Sequence, residues 1–300
     1  MDKNILIAGG TGLVGTELSK LLTQKGYNVA VLSRNKNFKV YKSFYWNYEQ
    51  GILDVEAIEF ADVIINLTGE NISNKRWTKK QKEIIIDSRI KTTNLIFEKT
   101  KSAKNKPITY ISASAIGYYG TFTSEKIFTE EDKAGNDFLA KTGISWEKSA
   151  DQFNLLNIRT LKLRIGVVFS KNGGALPKII KPVKFGIGSA IGKGKQYIPW
   201  IEISDLARIF LFIIENKNTN SVYNAVSPNF ISNYELTKSL AKILKKPFFF
   251  PNIPAFIMKL IFGEMSSILI KGSRVSSDKI QKEGFEFKFK NIEDIFTDLM

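Results

Sequence analysis

The sequence predicts an α/β protein with a doubly wound parallel sheet, followed by a smaller C-terminal α/β lobe. Three observations lead to this class. A glycine-rich turn joins an apolar strand to an amphipathic helix within residues 4–34. Apolar runs of strand length then alternate with helix-like segments up to residue 168, as in parallel sheets flanked by helices. From residue 169 onward, glycine-rich loops interrupt the alternation, which marks the start of the second lobe.

The amino-terminal turn predicts a dinucleotide site. Residues 4–8 form a short apolar run, and Gly9, Gly12 and Gly15 follow at three-residue spacing. One glycine permits a sharp turn, one lets backbone amides approach a pyrophosphate, and one lets helix and strand pack closely. The helix that begins near residues 11–13 directs unpaired N–H groups at the phosphates. This pattern predicts a Rossmann-type domain; the alternative is a purely structural strand-to-helix turn.

The end of the second strand, residues 29–32, indicates which dinucleotide binds. An NAD site requires an acidic residue about 20 positions beyond the glycines, where it binds the ribose 2′-hydroxyl. Ser33 and Arg34 follow the strand instead, with no carboxylate nearby. A guanidinium suits a 2′-phosphate, and a hydroxyl can donate to it. The pair favours NADP(H), unless Arg34 is only a solvated loop cation.

The rest of the first domain, residues 1–168, continues the alternation. We predict strands at residues 43–46, 62–67, 107–112 and 158–168. Helices are predicted at residues 54–60, 77–100 and 144–157. Ligands of such sheets bind at the carboxyl edge of the strands. Leu67, Thr68 and Gly69 are therefore predicted to line the nucleotide site, with an ordinary strand exit as the alternative. On the long helix, Glu83 and Arg89 either face the cofactor or pair in solvent.

The second lobe, residues 169–300, is predicted to bind the substrate, with later segments able to return to the first domain. Its predicted elements are a loop at 173–174, a flexible loop or hairpin over 185–200, a strand at 221–227, and helices at 204–215, 232–244, 254–262 and 290–299. The segment from about residue 250 is therefore helical. Asp205 fits the start of a helix better than a catalytic role.

The composition removes whole classes of chemistry. The 300 residues include no cysteine and no histidine. Disulfides, thiolate catalysis and cysteine-ligated metals are excluded, as are Ser-His-Asp hydrolases and the usual zinc sites. Tyrosine, lysine, aspartate and glutamate remain for proton transfer. We expect no metal.

The net charge of +15 allows nucleic acid or an anionic membrane surface as a partner. The lysines are spread over many segments and no recognition module accompanies them, so we expect no nucleic acid. No run approaches the roughly 18 apolar residues of a spanning helix, so we expect no membrane insertion. Residues 1–3 lead directly into the first strand and leave no room for a signal peptide. We expect a cytoplasmic protein.

A set of motifs spans nearly the whole chain: GGTGLVG, LSR, INLTGEN, SASAIGYYG, DFLAKTGISWEKSA, LRIGVV, PWIEISDL, YNAVSPN and FGEMSSILIKG. Together they resemble the epimerase family proteins, an atypical NADP-binding branch of the extended short-chain dehydrogenases/reductases with a small C-terminal domain of unknown function. The resemblance implies these nucleotide contacts: Gly9, Thr11, Gly12, Leu13, Val14, Gly15, Ser33, Arg34, Leu67, Glu83, Arg89 and Arg164. Because extended relatives often dimerise through the helices corresponding to 77–100 and 144–157, it also allows a homodimer.

Although the sequence resembles this family, it lacks the usual catalytic motif of the superfamily. Active members of the superfamily use a Ser or Thr after the fifth strand and a Tyr-x-x-x-Lys on the next helix, where the lysine lowers the tyrosine pKa. Ser114 matches the serine, but Trp146 and Ala150 occupy the tyrosine and lysine positions. If catalysis persists, Tyr118 or Tyr119 beside Ser114 is the candidate proton donor.

Two interpretations follow from this sequence. The first is an NADP(H)-dependent oxidoreductase or epimerase with a relocated proton donor, acting on an unknown small substrate, for example one resembling a nucleotide sugar. The second is an NADP(H)-binding sensor or scaffold without turnover. The family's reported link to cell-division regulators is compatible with the second interpretation.

Overall fold

A computed structural model describes residues 3–297 of the chain. The strands of this part, in chain order, are β1 (Asn4–Ala8), β2 (Asn28–Ser33), β3 (Lys42–Asn47), β4 (Ile52–Leu53), β5 (Val63–Asn66), β6 (Thr109–Ala115), β7 (Ile127–Phe128), β8 (Arg159–Ile165), β9 (Val167–Ser170), β10 (Gly173–Gly174), β11 (Trp200–Glu202), β12 (Ser221–Ala225) and β13 (Arg274–Val275).

The α-helices are α1 (Leu13–Gln24), α2 (Val55–Glu59), α3 (Lys79–Ser102), α4 (Phe138–Asp151), α5 (Leu176–Lys184), α6 (Ile203–Glu215), α7 (Asn233–Ile243), α8 (Ala255–Phe262), α9 (Ser267–Ile270), α10 (Asp278–Lys282) and α11 (Asp294–Thr297). Short 3₁₀ turns follow β6 at Ile116–Tyr119 and α4 at Gln152–Leu156.

Eight strands form one large sheet in the order β12-β8-β6-β5-β1-β2-β3-β4. All neighbours pair in parallel except the short β4, which is antiparallel to β3. After β1 the chain adds β2 and β3 on one side, and then β5, β6, β8 and β12 on the other. The strand order therefore reverses between β1 and β5, as in doubly wound folds. The predicted fold class is confirmed.

Helices cover both faces of this sheet. Ile5 and Ile7 of β1 belong to a core shared with α1 and α6. Leu6 and Ala8 face the opposite core, to which α2, α3 and α4 contribute. Alternate residues of one strand thus lie in two different cores, which is why residues 5–8 of β1 are all apolar.

The second lobe contains a three-stranded sheet of order β10-β9-β11. Its core joins this sheet to α5 and α7. However, β12 pairs with β8, and α6 packs on α1, so residues 203–225 lie with the large sheet. The domain boundary at residue 168 stays a prediction, and this returning segment agrees with the possibility noted from the sequence.

Two predicted boundaries in the first domain are wrong. The helix predicted over 144–157 begins at Phe138, because the Asp137 carboxylate accepts a hydrogen bond from Ala140 N at 2.9 Å and caps it there. The strand predicted over 158–168 breaks at Gly166 into β8 and β9. A Cβ at Gly166 would lie 2.6 Å from Pro199 O, so this close approach of β11 requires glycine.

In the second lobe, residues 173–174 form β10 rather than a loop, and residues 185–200 form no hairpin. That segment is a loop, the other of the two predicted alternatives. It carries a parallel bridge from Ile191 to Ile253 and an antiparallel bridge from Tyr197 to Ser232, and it leads into β11. The predicted strand at 221–227 ends at Ala225. The predicted helix at 290–299 begins only at Asp294, and its residues 298–299 lie outside the described part.

Candidate nucleotide site

The reversal of strand order creates a crevice between the loops that follow β1 and β5. These loops lie in contact: a Cβ at Gly9 would lie 3.0 Å from the Leu67 carbonyl carbon and 3.2 Å from Thr68 N. Gly9 also has a φ of +82°, a conformation that L side chains rarely adopt. Ligands of open α/β sheets bind at such a reversal, outside the carboxyl ends of the strands.

The glycine turn has the geometry of a phosphate cradle. At Gly15 a Cβ would lie 2.3 Å from Gly9 O and 2.6 Å from Gly10 Cα, so this residue permits close packing of α1 on the turn. At Gly12 the only described atom within 4 Å of a Cβ, apart from its chain neighbours, would be Gly9 O, at 3.3 Å. Gly12 also caps α1 without a side-chain hydrogen bond. The space beside Gly12 is thus open, and the first amides of α1 have no acceptor within the helix, which suits a pyrophosphate.

The other predicted residues of this turn differ in exposure. Thr11 is exposed at the start of the helix, while Leu13 and Val14 are half-buried. Leu13 contacts the second lobe, because a Cβ at Gly173 would lie 3.2 Å from Leu13 Cδ1. The cradle is therefore bounded on one side by the β9-β10 segment.

Ser33 and Arg34 lie at the carboxyl end of β2, beside the cradle. The buried Ser33 hydroxyl donates to Asn35 O at 3.1 Å and accepts from Asn35 N at 3.0 Å. It therefore shapes the turn. Arg34 is exposed and forms no ion pair with any residue in the range 3–297, so its guanidinium is available to a ligand phosphate.

The exit of β5 is fixed by a polar residue that sequence reasoning missed. The fully buried Asn66 donates from Nδ2 to Tyr110 Oη at 3.0 Å and to Thr93 Oγ1 at 3.1 Å. Its Oδ1 accepts from Thr68 N at 3.1 Å. A polar residue at the end of an apolar strand was the available signal. Asn66 holds the Leu67–Thr68 backbone against the glycine turn.

Arg89 and Glu83, both on α3, have different surroundings. Arg89 donates to Ile85 O at 2.8 Å and to Glu70 O at 3.1 Å, and its guanidinium lies close to Gly69. Burial lowers the pKa of Arg89 to about 10, against the opposing charge of Glu70. Glu83 is exposed. Arg89 therefore lies at the β5 exit, whereas no described contact connects Glu83 with it.

Ser114, at the carboxyl end of β6, belongs to a buried ionic network. Its hydroxyl donates to Glu147 Oε1 at 2.7 Å. Arg164 from β8 binds the same carboxylate with two hydrogen bonds, Nε to Oε1 at 2.8 Å and Nη2 to Oε2 at 2.9 Å. Burial favours a lower pKa for Arg164, but the hydrogen bonds and charge of Glu147 outweigh it and raise that pKa. The edge of the Arg164 guanidinium that carries Nε and Nη2 is thus bound by the Glu147 carboxylate.

The two candidate tyrosines both contact this guanidinium. Tyr119 is buried; its hydroxyl accepts from Arg164 Nη1 at 2.9 Å and donates to Asn224 Oδ1 at 2.7 Å. Burial raises the pKa of Tyr119 to about 12, although the Arg164 charge acts in the opposite direction. Tyr118 is half-buried, and its ring centroid lies 3.5 Å from the Arg164 guanidinium carbon. Within residues 3–297, nothing hydrogen-bonds to its hydroxyl.

Sequence reasoning did not assign Glu147 or Asn224 to the site. Glu147 was visible only as an acidic neighbour of Trp146, and Asn224 as a polar residue inside β12. Their partners lie at least 17 positions away in the chain, so only the folded structure brings them together.

The two α4 positions that the family resemblance assigns to the catalytic tyrosine and lysine hold apolar side chains. Trp146 is buried, and its ring lies under the Arg89 guanidinium at 4.9 Å. No described residue accepts a hydrogen bond from Trp146 Nε1. Ala150 is fully buried in the core beneath the sheet. An indole and a methyl group cannot exchange a proton with a substrate.

The part of the chain that the structure describes contains neither a membrane-spanning helix nor a cluster of metal ligands. None of its helices is long and apolar enough to cross a membrane. No group of three or more acidic side chains there could hold a metal ion.

The known proteins that this chain resembles indicate one family. "Epimerase family protein YfhF" of Bacillus subtilis (strain 168) is 35% identical over 300 residues, which cover 99% of this chain and 98% of that protein. The crystal structure of human epimerase family protein SDR39U1 (isoform 2) with NADPH has a TM-score of 0.86 at 28% identity and covers 98% of both chains. MoeE5 in complex with UDP-glucuronic acid and NAD has a TM-score of 0.76 at 15% identity, covering 98% of this chain and 99% of that one, and shows the fold alone.

Two family descriptions match the sequence itself. Residues 253–299 match a domain of unknown function, DUF1731. Residues 5–225 match the NAD dependent epimerase/dehydratase family. The resemblance found from the motifs is therefore confirmed, and the chain belongs to the NAD dependent epimerase/dehydratase family as an epimerase family protein with a C-terminal DUF1731 domain.

Proposed function

We propose that this protein binds NADP(H) in the crevice between the β1 and β5 loops and acts as an oxidoreductase of the short-chain dehydrogenase/reductase type on a small substrate. The observation that carries the proposal is the open face of Gly12 at the start of α1, where no side chain caps the helix. The NADPH in the SDR39U1 structure supports it. Isothermal titration calorimetry with NADPH tests the cofactor-binding part of the proposal. Absence of binding heat would refute that part.

The residues present fit such a cofactor. The backbone amides of Leu13 and Val14 would hold the pyrophosphate, because the Gly12 amide donates to Gly9 O within the turn. The Leu67–Gly69 backbone would line the opposite wall. Arg34 would hold the 2′-phosphate. Bound there, the cofactor supplies the hydride chemistry. Ser114, Tyr118 and Arg164, at the carboxyl ends of the neighbouring strands, would face the other end of the cofactor.

Arg34→Asp is expected to weaken NADPH binding by about 10- to 100-fold, because a charge-assisted hydrogen bond to phosphate contributes about 1.5–3 kcal/mol. The new carboxylate repels the 2′-phosphate but can accept a hydrogen bond from a 2′-hydroxyl, so NADH affinity should be kept or improved. Calorimetry with both cofactors measures the ratio. Lys25→Asp, at the exposed end of α1, makes the same charge change and should leave the ratio unaltered. Equal affinities of the wild type for NADPH and NADH would contradict the role of Arg34.

Tyr118 is the better placed of the two candidate proton donors. Its hydroxyl is not committed to another described residue, and the Arg164 charge faces its ring at 3.5 Å. A cation in this position stabilises negative charge that develops on the ring and its oxygen when the proton leaves. Tyr119, in contrast, is fixed by two hydrogen bonds and holds its proton tightly. Ser114 and Glu147 would orient Arg164 beneath Tyr118.

Tyr118→Phe is expected to lower turnover by about 10²- to 10⁴-fold, the usual contribution of a general acid, while NADPH affinity is kept. The substrate is first found by incubating the protein and NADPH with cell extract and identifying the metabolite that changes; NADPH oxidation then gives kcat. Tyr119→Phe should lower kcat less than about tenfold and instead destabilise the fold, by about 1–3 kcal/mol, through its unsatisfied partners. The reverse order of effects on kcat would assign the proton to Tyr119.

A second candidate function is an NADP(H) sensor or scaffold without turnover. The observation that favours it is the buried Trp146, which occupies the catalytic tyrosine position under Arg89. In this case NADPH would raise the melting temperature by mass action, but no metabolite in the extract would change. Trp146→Tyr with Ala150→Lys would then be needed before any reduction could be detected. Oxidation of NADPH by the wild type with any metabolite excludes this candidate.

A further inference from the structure

Two stretches of the second lobe carry charge of a single sign. Residues 171–201 and 236–263 contain eleven lysines and no arginine, aspartate or glutamate. The two stretches lie against each other: Ile191 pairs with Ile253, and a Cβ at Gly186 would lie 3.6 Å from Pro247 Cγ. No ion pair between described residues involves any of these lysines. Much of the net charge of +15 is therefore concentrated here, and no ion pair between described residues offsets it.

Large apolar side chains project from the same two stretches. Phe185, at the end of α5, is 74% exposed, and Phe249, after α7, is 73% exposed. On α8, Phe256 is 68% and Leu260 76% exposed; their spacing of four residues places them on one side of the helix. Single exposed apolar residues are common, but a group of this size on adjacent segments marks an interaction site. We call these four residues, with Lys246 and Lys259, the basic apolar surface.

We propose that the basic apolar surface attaches the protein peripherally to an anionic lipid bilayer. Phenylalanine and leucine side chains gain by entering the interface between headgroups and acyl chains, and lysines around them attract anionic headgroups. Lysine stems can lie along the apolar layer while their ammonium groups stay among the headgroups. Since no helix within residues 3–297 could span a bilayer, attachment is to one leaflet only.

Two other occupants fit the observations less well. A second copy of the chain, docked through the same patch across a two-fold axis, would bring lysines against the same lysines, which is repulsive. A nucleic acid would match the charge. However, single-strand binding relies on aromatic stacking and arginine. Leu260 offers no ring, these stretches contain no arginine, and the neighbouring Arg76 donates to Leu260 O at 2.7 Å. Both occupants are outcomes that the experiment distinguishes.

The test is co-sedimentation of the full chain with vesicles of phosphatidylcholine alone or of phosphatidylcholine and phosphatidylglycerol in equal parts. Binding is expected to be at least about tenfold stronger to the anionic vesicles, because each lysine near the surface contributes about a fivefold increase. Raising the salt from about 0.1 M to about 1 M should reduce it, because the screening length falls from about 10 Å to about 3 Å.

Variants separate the apolar and charged parts. Phe256→Ser with Leu260→Ser should reduce partition into anionic vesicles at least about tenfold, because each side chain loses its apolar transfer energy. Lys246→Glu with Lys259→Glu should reduce it by at least about fivefold per lysine. Leu155→Ser is the matched control: Leu155 is 79% exposed but lies on the turn after α4, so its loss should have no effect. Unchanged melting temperatures of the variants would show that they are folded.

Three results would overturn the proposal. The first is absence of vesicle binding, or equal binding to neutral and anionic vesicles. The second is tight, salt-sensitive binding of single-stranded DNA without binding to anionic vesicles, which would assign the surface to nucleic acid. The third is a dimer in light scattering that becomes a monomer in the Phe256→Ser, Leu260→Ser variant, which would assign the surface to a second copy. None of these results bears on NADPH binding at the β1–β5 crevice.

Discussion

Gly12→Val is expected to abolish NADPH binding while the protein remains folded. The new Cβ would meet only Gly9 O, at 3.3 Å, and the backbone of Gly12 has a φ of −81° that valine accepts. The isopropyl group would occupy the space in front of the first amides of α1. Losing two charge-assisted hydrogen bonds of about 1.5–3 kcal/mol each predicts an affinity at least about 100-fold lower. Calorimetry with NADPH and the melting temperature of the free protein are the two measurements.

Gly15→Val is the matched control for this prediction. The same substitution three residues later would place a Cβ 2.3 Å from Gly9 O and 2.6 Å from Gly10 Cα, both backbone atoms that cannot move independently. We expect a stability loss of about 1–3 kcal/mol or more, as for other overpacked sites. Unaltered NADPH affinity in Gly12→Val would remove the glycine turn from the site, whatever the behaviour of Gly15→Val.

Glu147→Leu is expected to have the largest effect on stability. It would leave the Arg164 guanidinium, which is only 3% exposed, without its carboxylate, and it would remove the partner of Ser114. Breaking a buried ion pair from one side costs about 3–5 kcal/mol. Urea denaturation of wild type and variant gives the difference. Glu98→Leu, on the exposed side of α3, is the surface control and should change stability by less than about 0.5 kcal/mol.

The double variant Glu147→Leu with Arg164→Met tests the cause of that loss. When both charges are removed, neither ion is left unpaired, and Tyr119 can still donate to Asn224. We expect the double variant to recover most of the stability lost in Glu147→Leu, because an apolar pair of similar volume often replaces a buried ion pair without loss. A double variant as unstable as Glu147→Leu would show that packing around Glu147, rather than the charge of Arg164, is responsible.

Local patterns predicted the frame of the candidate nucleotide site. Glycine spacing, an apolar run and helical periodicity each depend on neighbouring residues, so Gly9, Gly12 and Gly15 could be placed between β1 and α1 from the sequence alone. The start of α4 was missed because it depends on one carboxylate, that of Asp137, rather than on periodicity. The break at Gly166 depends on the approach of Pro199, which lies 33 positions later in the chain.

The polar network around Ser114 could not be predicted in the same way. Its members come from β6, α4, β8 and β12, and each looks ordinary in its own segment. Glu147 reads as one charge on a partly polar helix, and Asn224 as an interruption of an apolar strand. Only the parallel register, in which Ser114 lies beside Arg164 and Arg164 beside Asn224, brings the groups to one edge.

One extended segment belongs to two sheets, and this limits where the chain can be truncated. β8 ends in the large sheet and β9 begins in the small sheet, with Gly166 alone between them. A fragment ending at residue 168 would lose β12, so that β8 would become an exposed edge strand. Exposed edge strands promote aggregation. It would also uncover α1 where α6 packs on it. The two lobes are therefore expected to fold as one cooperative unit, and limited proteolysis should release no stable nucleotide-binding half.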